Sequence, residues 1–280
     1  NLGLWEPVFK WNPLSPEEQG LSGIFWQTEK TNFTLMLFAS PLYLPNQGPS
    51  FEIQNGDFTK GNPWFHQPPQ SVRIWNEATA MQYRFDQPNE SQIVLQNSYG
   101  ARLSVGDSES LKAQLSYLYA PDNVLALGYQ GSLDLSTLKG NVELQPQVFY
   151  HALTGADVVY KFKQVKMGLS GTWDRPTKER LFEDQWSQPV FEDAYLLSPF
   201  VEWDSGRYTL SLMHLDVIGG EVKEVGENLA NTPLTTLYPF REATQAAIGM
   251  YVPMSRGQRL TTYFSYTVRS EEHTSELQSH

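Results

Sequence analysis

Residues 92–106 read QIVLQNSYGARLSVG. The odd positions are Ile93, Leu95, Asn97, Tyr99, Ala101, Leu103 and Val105. The even ones, Val94 excepted, are Gln92, Gln96, Ser98, Gly100, Arg102, Ser104 and Gly106. Successive side chains of a strand point to opposite faces, so this stretch predicts a single strand with one apolar and one polar face. Its length is the decisive feature. Strands of soluble domains run about five or six residues, whereas a tilted strand crossing a bilayer needs about nine to eleven.

The same alternation spreads in both directions. Upstream, Met81, Tyr83 and Phe85 alternate with Gln82, Arg84 and Asp86. Downstream, Leu111, Ala113, Leu115, Tyr117 and Tyr119 alternate with Lys112, Gln114 and Ser116. Further runs are expected at 125–135 and 142–150. Clusters of Asp, Asn, Ser, Pro and Gly separate them, the signature of successive hairpins. Residues 157–173 change phase: Val158, Tyr160 and Phe162 are apolar at even positions, Val165, Met167, Leu169 and Trp173 at odd ones. Lys163-Gln164 is poor tight-turn chemistry, and one long strand with a β-bulge accounts for the switch. A hairpin would account for it equally, but only the single strand puts the long connections 41–79, 174–194 and 218–243 on one side, and that decides for the bulge. With strands at 4–11, 23–28, 33–39, 195–204, 207–217, 244–253 and 258–268, the expected meander has about 13 strands.

Over most of residues 4–268 this pattern resembles a bacterial outer-membrane β-barrel of the broad porin-like class, although no motif names a family within it. The resemblance implies an all-β, antiparallel, up-and-down transmembrane barrel in the outer membrane. Its contacts would be with membrane lipid and lipopolysaccharide, and its long loops would lie on the outer side. Barrels of this class normally have an even strand number, so 14 or more strands are expected in the complete protein. The tail from Arg269 onward, RSEEHTSELQSH, resembles a translated sequencing adapter. Residues 269–280 are therefore set aside as non-native, which leaves 1–268 as one truncated barrel domain, as expected for a metagenomic fragment.

Composition fits this reading. The chain has 280 residues, a net charge of -11 and no cysteine. A disulfide scaffold or cysteine metal site is excluded, and a nucleic-acid partner, which needs a basic stripe, is not expected. No apolar run is long enough for a transmembrane helix. The negative mean hydropathy does not exclude barrel strands, which are apolar only at every second position.

The polar phase nominates pore-lining residues: Arg84, Arg102, Lys112, Gln114, Glu143, Gln145, Gln147, Lys161, Lys163 and Lys166. The set is mildly cationic. Two readings stay open for it: a lumen selective for anionic solutes, or a ladder of charges that pair and close a small pore. The connection 41–79 combines six prolines with aromatics and is too aromatic for a disordered segment. Its Phe58, Trp64, Phe65, His66 and Trp75 would form a lid or constriction with a surface for stacking on sugar rings, or else a mini-core without a ligand. The carboxylates of 174–194 either hold divalent cations against lipopolysaccharide phosphates or are simply solvated.

His66, His151 and His214 lack metal-ligand spacing, and no HExxH, GxSxG or Walker motif occurs. No catalytic residue, metal or cofactor is therefore assigned, although catalytic groups spread over several strands would escape such a scan. The expected function is an outer-membrane channel for small solutes, anionic or sugar-like, with 41–79 as its lid. The alternatives are a non-conducting surface barrel that binds a ligand or partner through its outer loops, and a soluble carbohydrate-binding β-sandwich.

Overall fold

The structure is a computed structural model describing residues 6–7, 18–19, 22–43, 52–59, 70–74, 77–86, 90–107, 109–122, 125–137, 139–177, 187–225, 233–236, 238, 241–253 and 259–270. A small pair, β1 (Glu6–Pro7) and β2 (Glu18–Gln19), precedes the hairpin of β3 (Ile24–Lys30) and β4 (Phe33–Ser40). The next connection carries β5 (Glu52–Gln54), β6 (Asp57–Thr59), β7 (Ser71–Ile74), β8 (Glu77–Phe85) and one helical turn, α1 (Glu90–Val94). Then come β9 (Ser98–Gly106), β10 (Leu111–Pro121), β11 (Ala126–Asp134), β12 (Lys139–Gln147), β13 (Tyr150–Phe162) and β14 (Val165–Pro176). The chain continues through β15 (Gln188–Phe191), β16 (Ala194–Asp204), β17 (Tyr208–Gly219), β18 (Glu221–Val225), β19 (Pro233–Thr236), β20 (Glu242–Pro253) and β21 (Arg259–Ser270).

The dominant element is an antiparallel sheet of ten strands in the order β21-β20-β17-β16-β14-β13-β10-β9-β4-β3. Within this sheet each strand pairs with the next sheet strand along the chain, so its topology is an up-and-down meander. Seven of the ten strands are 11 to 13 residues long, about twice the soluble norm. The short turns lie at one end of the sheet. At the other end the chain makes four excursions, 41–97, 122–149, 177–193 and 220–241.

Several expectations are corrected. The stretch 92–106 is not one strand: residues 90–94 form α1, capped by Leu95 N donating to the Ser91 carbonyl oxygen at 3.1 Å, and only Ser98–Gly106 is extended. Val94, the one apolar residue in the polar phase, marks the break. The bulged strand 157–173 is instead a hairpin, with Lys163 at φ 54° in the turn. The meander contains ten strands rather than about 13. The expected first strand, 4–11, contributes only the pair Glu6↔Gln19 and Pro7↔Glu18. The runs 81–86, 125–135 and most of 142–150 leave the meander and form a separate sheet, β11-β12-β8-β7, in which β12 and β8 pair in parallel, while Tyr150 opens β13. At the other end, β21 pairs with β20 as far as Arg269 and Ser270, which does not bear on the origin of the tail.

The long connections share one end as expected, but only because errors cancel: the bulge that the parity count selected is a hairpin. Between the first and the third long connections three strands are lost and one is gained, an even change. The long connections therefore still share one end.

Strand–strand register fixes the faces, since residues directly opposite point the same way. One face runs Leu35↔Leu103, Leu103↔Leu115, Leu115↔Ala156, Val158↔Leu169, Met167↔Val201, Val201↔Leu212 and Ala246↔Tyr266. It is apolar and exposed: Leu115 is 59%, Val158 48% and Leu212 49% accessible. The opposite face is covered: over the middle of the sheet it carries Ser104 at 6% and Ser116 at 8%, and toward the long connections an apolar core of Met36, Phe38, Leu118, Leu153, Leu196 and Val217. Over the middle of the sheet burial is thus inverted relative to a soluble sheet, in which the apolar face would be covered.

Candidate functional site

Aromatic side chains concentrate at both ends of the apolar face. Near the short turns stand Phe33, Tyr160, Phe162, Trp203 and Tyr208, all exposed. Near the long connections the Tyr99 and Tyr119 rings lie 5.2 Å apart, Tyr119 stacks on Tyr150 at 5.0 Å, and Trp173 stacks on Tyr195 at 5.9 Å. The intervening residues are mostly Leu, Val, Ala and Gly. The eight residue steps from Tyr195 to Trp203 span about 26 Å along the strand at about 3.3 Å per residue. Tyr117, Tyr119, Trp173 and Trp203 lie on this face, whereas Tyr251 shares the opposite face with Ala247 and Gly249. His214 and Asp216 stay on the apolar face without any bulge in the β17–β20 register. They satisfy one another: His214 Nδ1 meets Thr244 Oγ1 at 2.8 Å and Nε2 meets Asp216 Oδ1 at 3.1 Å.

On the polar face, side chains connect across strands. Ser104 Oγ donates to Gln114 Oε1 at 3.2 Å, Gln114 Nε2 donates to Asp157 Oδ2 at 2.9 Å, and Ser170 Oγ donates to Asp157 Oδ1. Of the residues expected to line a pore, Arg102, Lys112, Gln114, Lys161 and Lys166 belong to this face. Lys161 pairs with Glu109, and Lys166 lies 5.6 Å from the Phe200 ring centroid. Arg102 approaches Met36 Sδ at 3.9 Å, and its buried Nε has no hydrogen-bond partner. Lys163 is in the β13–β14 turn, over Phe162.

The other four are not on the sheet at all. Arg84 is on β8, and Glu143, Gln145 and Gln147 are on β12. There Arg84 Nε and Glu143 Oε1 are 4.0 Å apart, beside a polar cavity of about 530 Å³ lined by Gln82, Tyr83, Gln130, Ser132 and Asn141 among others. Burial pushes the Tyr83 hydroxyl pKa above its ordinary value. Phe58 belongs to β6, paired with Ile53. Trp64, Phe65, His66 and Trp75 lie outside the described residues, so the expected lid surface is not described by the structure.

The four excursions build one folded end. β8 pairs with β12, Tyr129 exchanges backbone hydrogen bonds of 2.9 Å with Ser187, and β15 pairs with β18. Tyr83, Leu144, Met81, Phe85, Tyr129 and Val142 form an apolar cluster of their own, while Phe149 and Phe191 stack at 4.1 Å. A buried polar cluster ties this end to the sheet. His151 Nδ1 lies 3.1 Å from Asp174 Oδ1 and 3.9 Å from Asp122 Oδ2, and the Tyr238 hydroxyl donates to Asp174 Oδ2 at 2.8 Å.

That cluster was missed in the sequence. Asp174 was grouped with the loop carboxylates, yet it is on β14 and 1% accessible. Glu192 of the same group pairs with Lys223 at 3.2 Å. No group of three or more metal-ligating side chains occurs among the described residues. The available signal was position: His151 and Asp174 fall on the polar phase of two adjacent strands.

The β11–β12 turn has an acid-sensitive element. Asp134 accepts from Ser136 Oγ at 2.7 Å, Thr137 Oγ1 at 2.8 Å and Ser136 N at 2.9 Å. These bonds, that of Ser136 first, lower its pKa to about 2 from 3.8. Because the folded pKa is depressed, the carboxylate's contribution is complete above the unfolded value and is lost as pH falls from about 4 toward about 2. Brief pepsin treatment is expected to spare this turn at pH 4 and cut near Leu133 and Leu135 at pH 2. Asp134→Ala should be cut at both pH values.

No protein-family model and no curated protein matches the chain. Among the described residues no helix is long and apolar enough to cross a membrane, which leaves strands as the only crossing elements to consider.

Proposed function

We propose that the ten-stranded sheet is the wall of a bacterial outer-membrane β-barrel with a side-chain-filled interior, which acts by binding a ligand or partner at its long-connection end. The observation that carries this reading is the inverted burial. A band of exposed aliphatic side chains with aromatics at both edges matches the lipid-facing surface of such barrels. The edge strands β3 and β21 run in opposite senses, so pairing them would close the barrel as an antiparallel wall without free edges. A soluble sandwich would instead have to leave its whole apolar face in water.

A filled interior is favoured over an open channel by the polar-face network. The chain Ser104–Gln114–Asp157–Ser170 spans four adjacent strands and satisfies its members internally. The long-connection end, by contrast, offers a polar cavity with amide and charged side chains that suit a hydrogen-bonding ligand such as a sugar or peptide. A small anion-selective pore is the second reading, favoured by Arg102, Lys112, Lys161 and Lys166 on the polar face.

Two measurements test the proposal. In detergent the folded chain is expected to migrate faster on a gel unheated than boiled. In planar bilayers it should insert without a steady conductance. Stable anion-selective conductance would overturn the binding-barrel reading in favour of the channel. A chain that is monomeric and folded without detergent would overturn both.

A further inference from the structure

Register assigns the side chains of the excursion strands β11, β12 and β8 to two faces. On one face Tyr83 and Leu144 pack into their apolar cluster. The other presents two cross-strand rows to the cavity of about 530 Å³. Gln130 lies opposite Glu143, which lies opposite Arg84; Ser132 lies opposite Asn141, which lies opposite Gln82. All six line the cavity. On the β8 side it is bounded by the Asn55-Gly56 turn, with both residues at positive φ. That turn is held where Tyr83 N donates to the Gly56 carbonyl oxygen at 2.8 Å. A Cβ on Gly56 would stand 3.2 Å from the Gln82 Cβ, so the close approach favours glycine. The rows differ in chemistry. The first holds the opposite charges of Arg84 and Glu143, 4.0 Å apart, and the second holds one hydroxyl and two amides. Positions two apart on each strand separate the rows by about 7 Å.

We propose that this cavity binds a zwitterionic α-amino acid with an amide side chain, such as glutamine; the inference rests on the ligand-binding reading above and names its ligand. Among the described lining residues Tyr83 is the one aromatic, and its ring belongs to the apolar cluster on the far face. A sugar would therefore find no flat ring to stack on. An anion placed on Arg84 is opposed by Glu143, and a cation placed on Glu143 is opposed by Arg84. A ligand with both charges on one carbon satisfies the two together. Its carboxylate accepts from the Arg84 guanidinium, and its ammonium donates to the Glu143 carboxylate. The two ends of an oligopeptide hold these charges too far apart for neighbouring partners. The Arg84–Glu143 contact is long and its side chains are 82% and 40% exposed, so opening it to a ligand costs little. The ligand's amide then crosses to the second row, where Asn141 and Gln82 offer donors and acceptors alike. Water fills the rest of the cavity.

The test titrates the full chain in non-ionic detergent by isothermal calorimetry with L-glutamine, L-alanine, N-acetylglutamine, glutaminamide, triglutamine and maltose. L-Glutamine is expected to bind about tenfold or more tightly than N-acetylglutamine, which lacks the ammonium, and than glutaminamide, which lacks the carboxylate. Arg84→Glu and Glu143→Arg should each weaken glutamine binding by about tenfold or more. The double variant restores one charge of each sign and should recover part of that loss. Asn141→Ala should erase the preference for glutamine over alanine. All these variants should remain heat-modifiable on a gel, since the changed side chains are on an exposed face outside the wall. Tighter binding of maltose or triglutamine, glutamine binding unchanged in Arg84→Glu, or no binding of any of the six overturns the amino-acid assignment and leaves the barrel standing. Steady conductance in planar bilayers instead overturns the binding-barrel reading, whatever the calorimetry shows.

Discussion

Leu115→Arg is expected to abolish bilayer insertion, whereas Leu135→Arg leaves it unchanged. Both leucines are well exposed, 59% and 68% accessible, and at exposed positions of a soluble protein such substitutions usually stay within about 0.5 kcal/mol. Their locations differ. Leu115 is in the middle of β10, between Leu103 and Ala156 on the apolar face, at the proposed midplane of the bilayer. Leu135 is in the β11–β12 turn, outside that sheet. A cation on the lipid face of a barrel costs about 2–4 kcal/mol at the midplane and close to nothing beyond the interface. Floating the folded protein with liposomes through a density gradient, combined with the heat-shift gel, checks the pair. Equal tolerance of both substitutions would mean that the apolar face meets water or protein rather than lipid.

The second large effect is expected from Asp174→Ala. This substitution removes the acceptor shared by His151 and the Tyr238 hydroxyl, inside a cluster that is almost entirely buried. Leaving a buried hydrogen-bonding group unsatisfied costs about 1–3 kcal/mol, and this substitution does so at two groups. A loss of about 3 kcal/mol at the long-connection end is therefore expected. Asp174→Asn, which keeps an acceptor oxygen, should lose less. The wall strands carry their own ladder hydrogen bonds, so the heat-shift gel should be unaffected while trypsin begins to cut within 177–193 and 220–241. Loss of the heat shift in Asp174→Ala would instead mean that the cluster holds the wall together.

The signals that were legible in the sequence share one property: each is local and periodic. Leu111, Ala113, Leu115 and Tyr117 against Lys112, Gln114 and Ser116 specify strand and face together, because a strand cannot move by one residue without exchanging its faces. Asp204-Ser205-Gly206 and Asp107 to Ser110 specify turns because Gly and Asx residues accept conformations that others resist. From these, most of the wall strands, their faces and the shared end of the long connections followed. The polar-face positions of Arg102, Lys112, Gln114, Lys161 and Lys166 followed as well.

What misled was alternation without a destination. Met81, Tyr83 and Phe85, or Val142 and Leu144, alternate as cleanly as any wall strand, yet they cover one another in a small cluster instead of joining the meander. A half-buried strand has the same period whether its apolar face meets lipid or a neighbouring sheet. The single strand was preferred to a turn at Lys163 because it kept the long connections on one side, but twelve paired positions, from His151↔Pro176 to Phe162↔Val165, outweigh one unfavourable turn residue.

By itself, then, the sequence determined that this chain is built from long two-faced strands, and which face of each wall strand is apolar, because side-chain period is a property of the backbone. Non-local strand pairing, absent from any local window, sets which alternating runs join the ten-stranded sheet and which become excursions. It alone also brought His151, Asp122, Asp174 and Tyr238 together from four separate segments, and Arg84 beside Glu143. Those contacts depend on register between strands far apart in the chain, which no window of sequence contains.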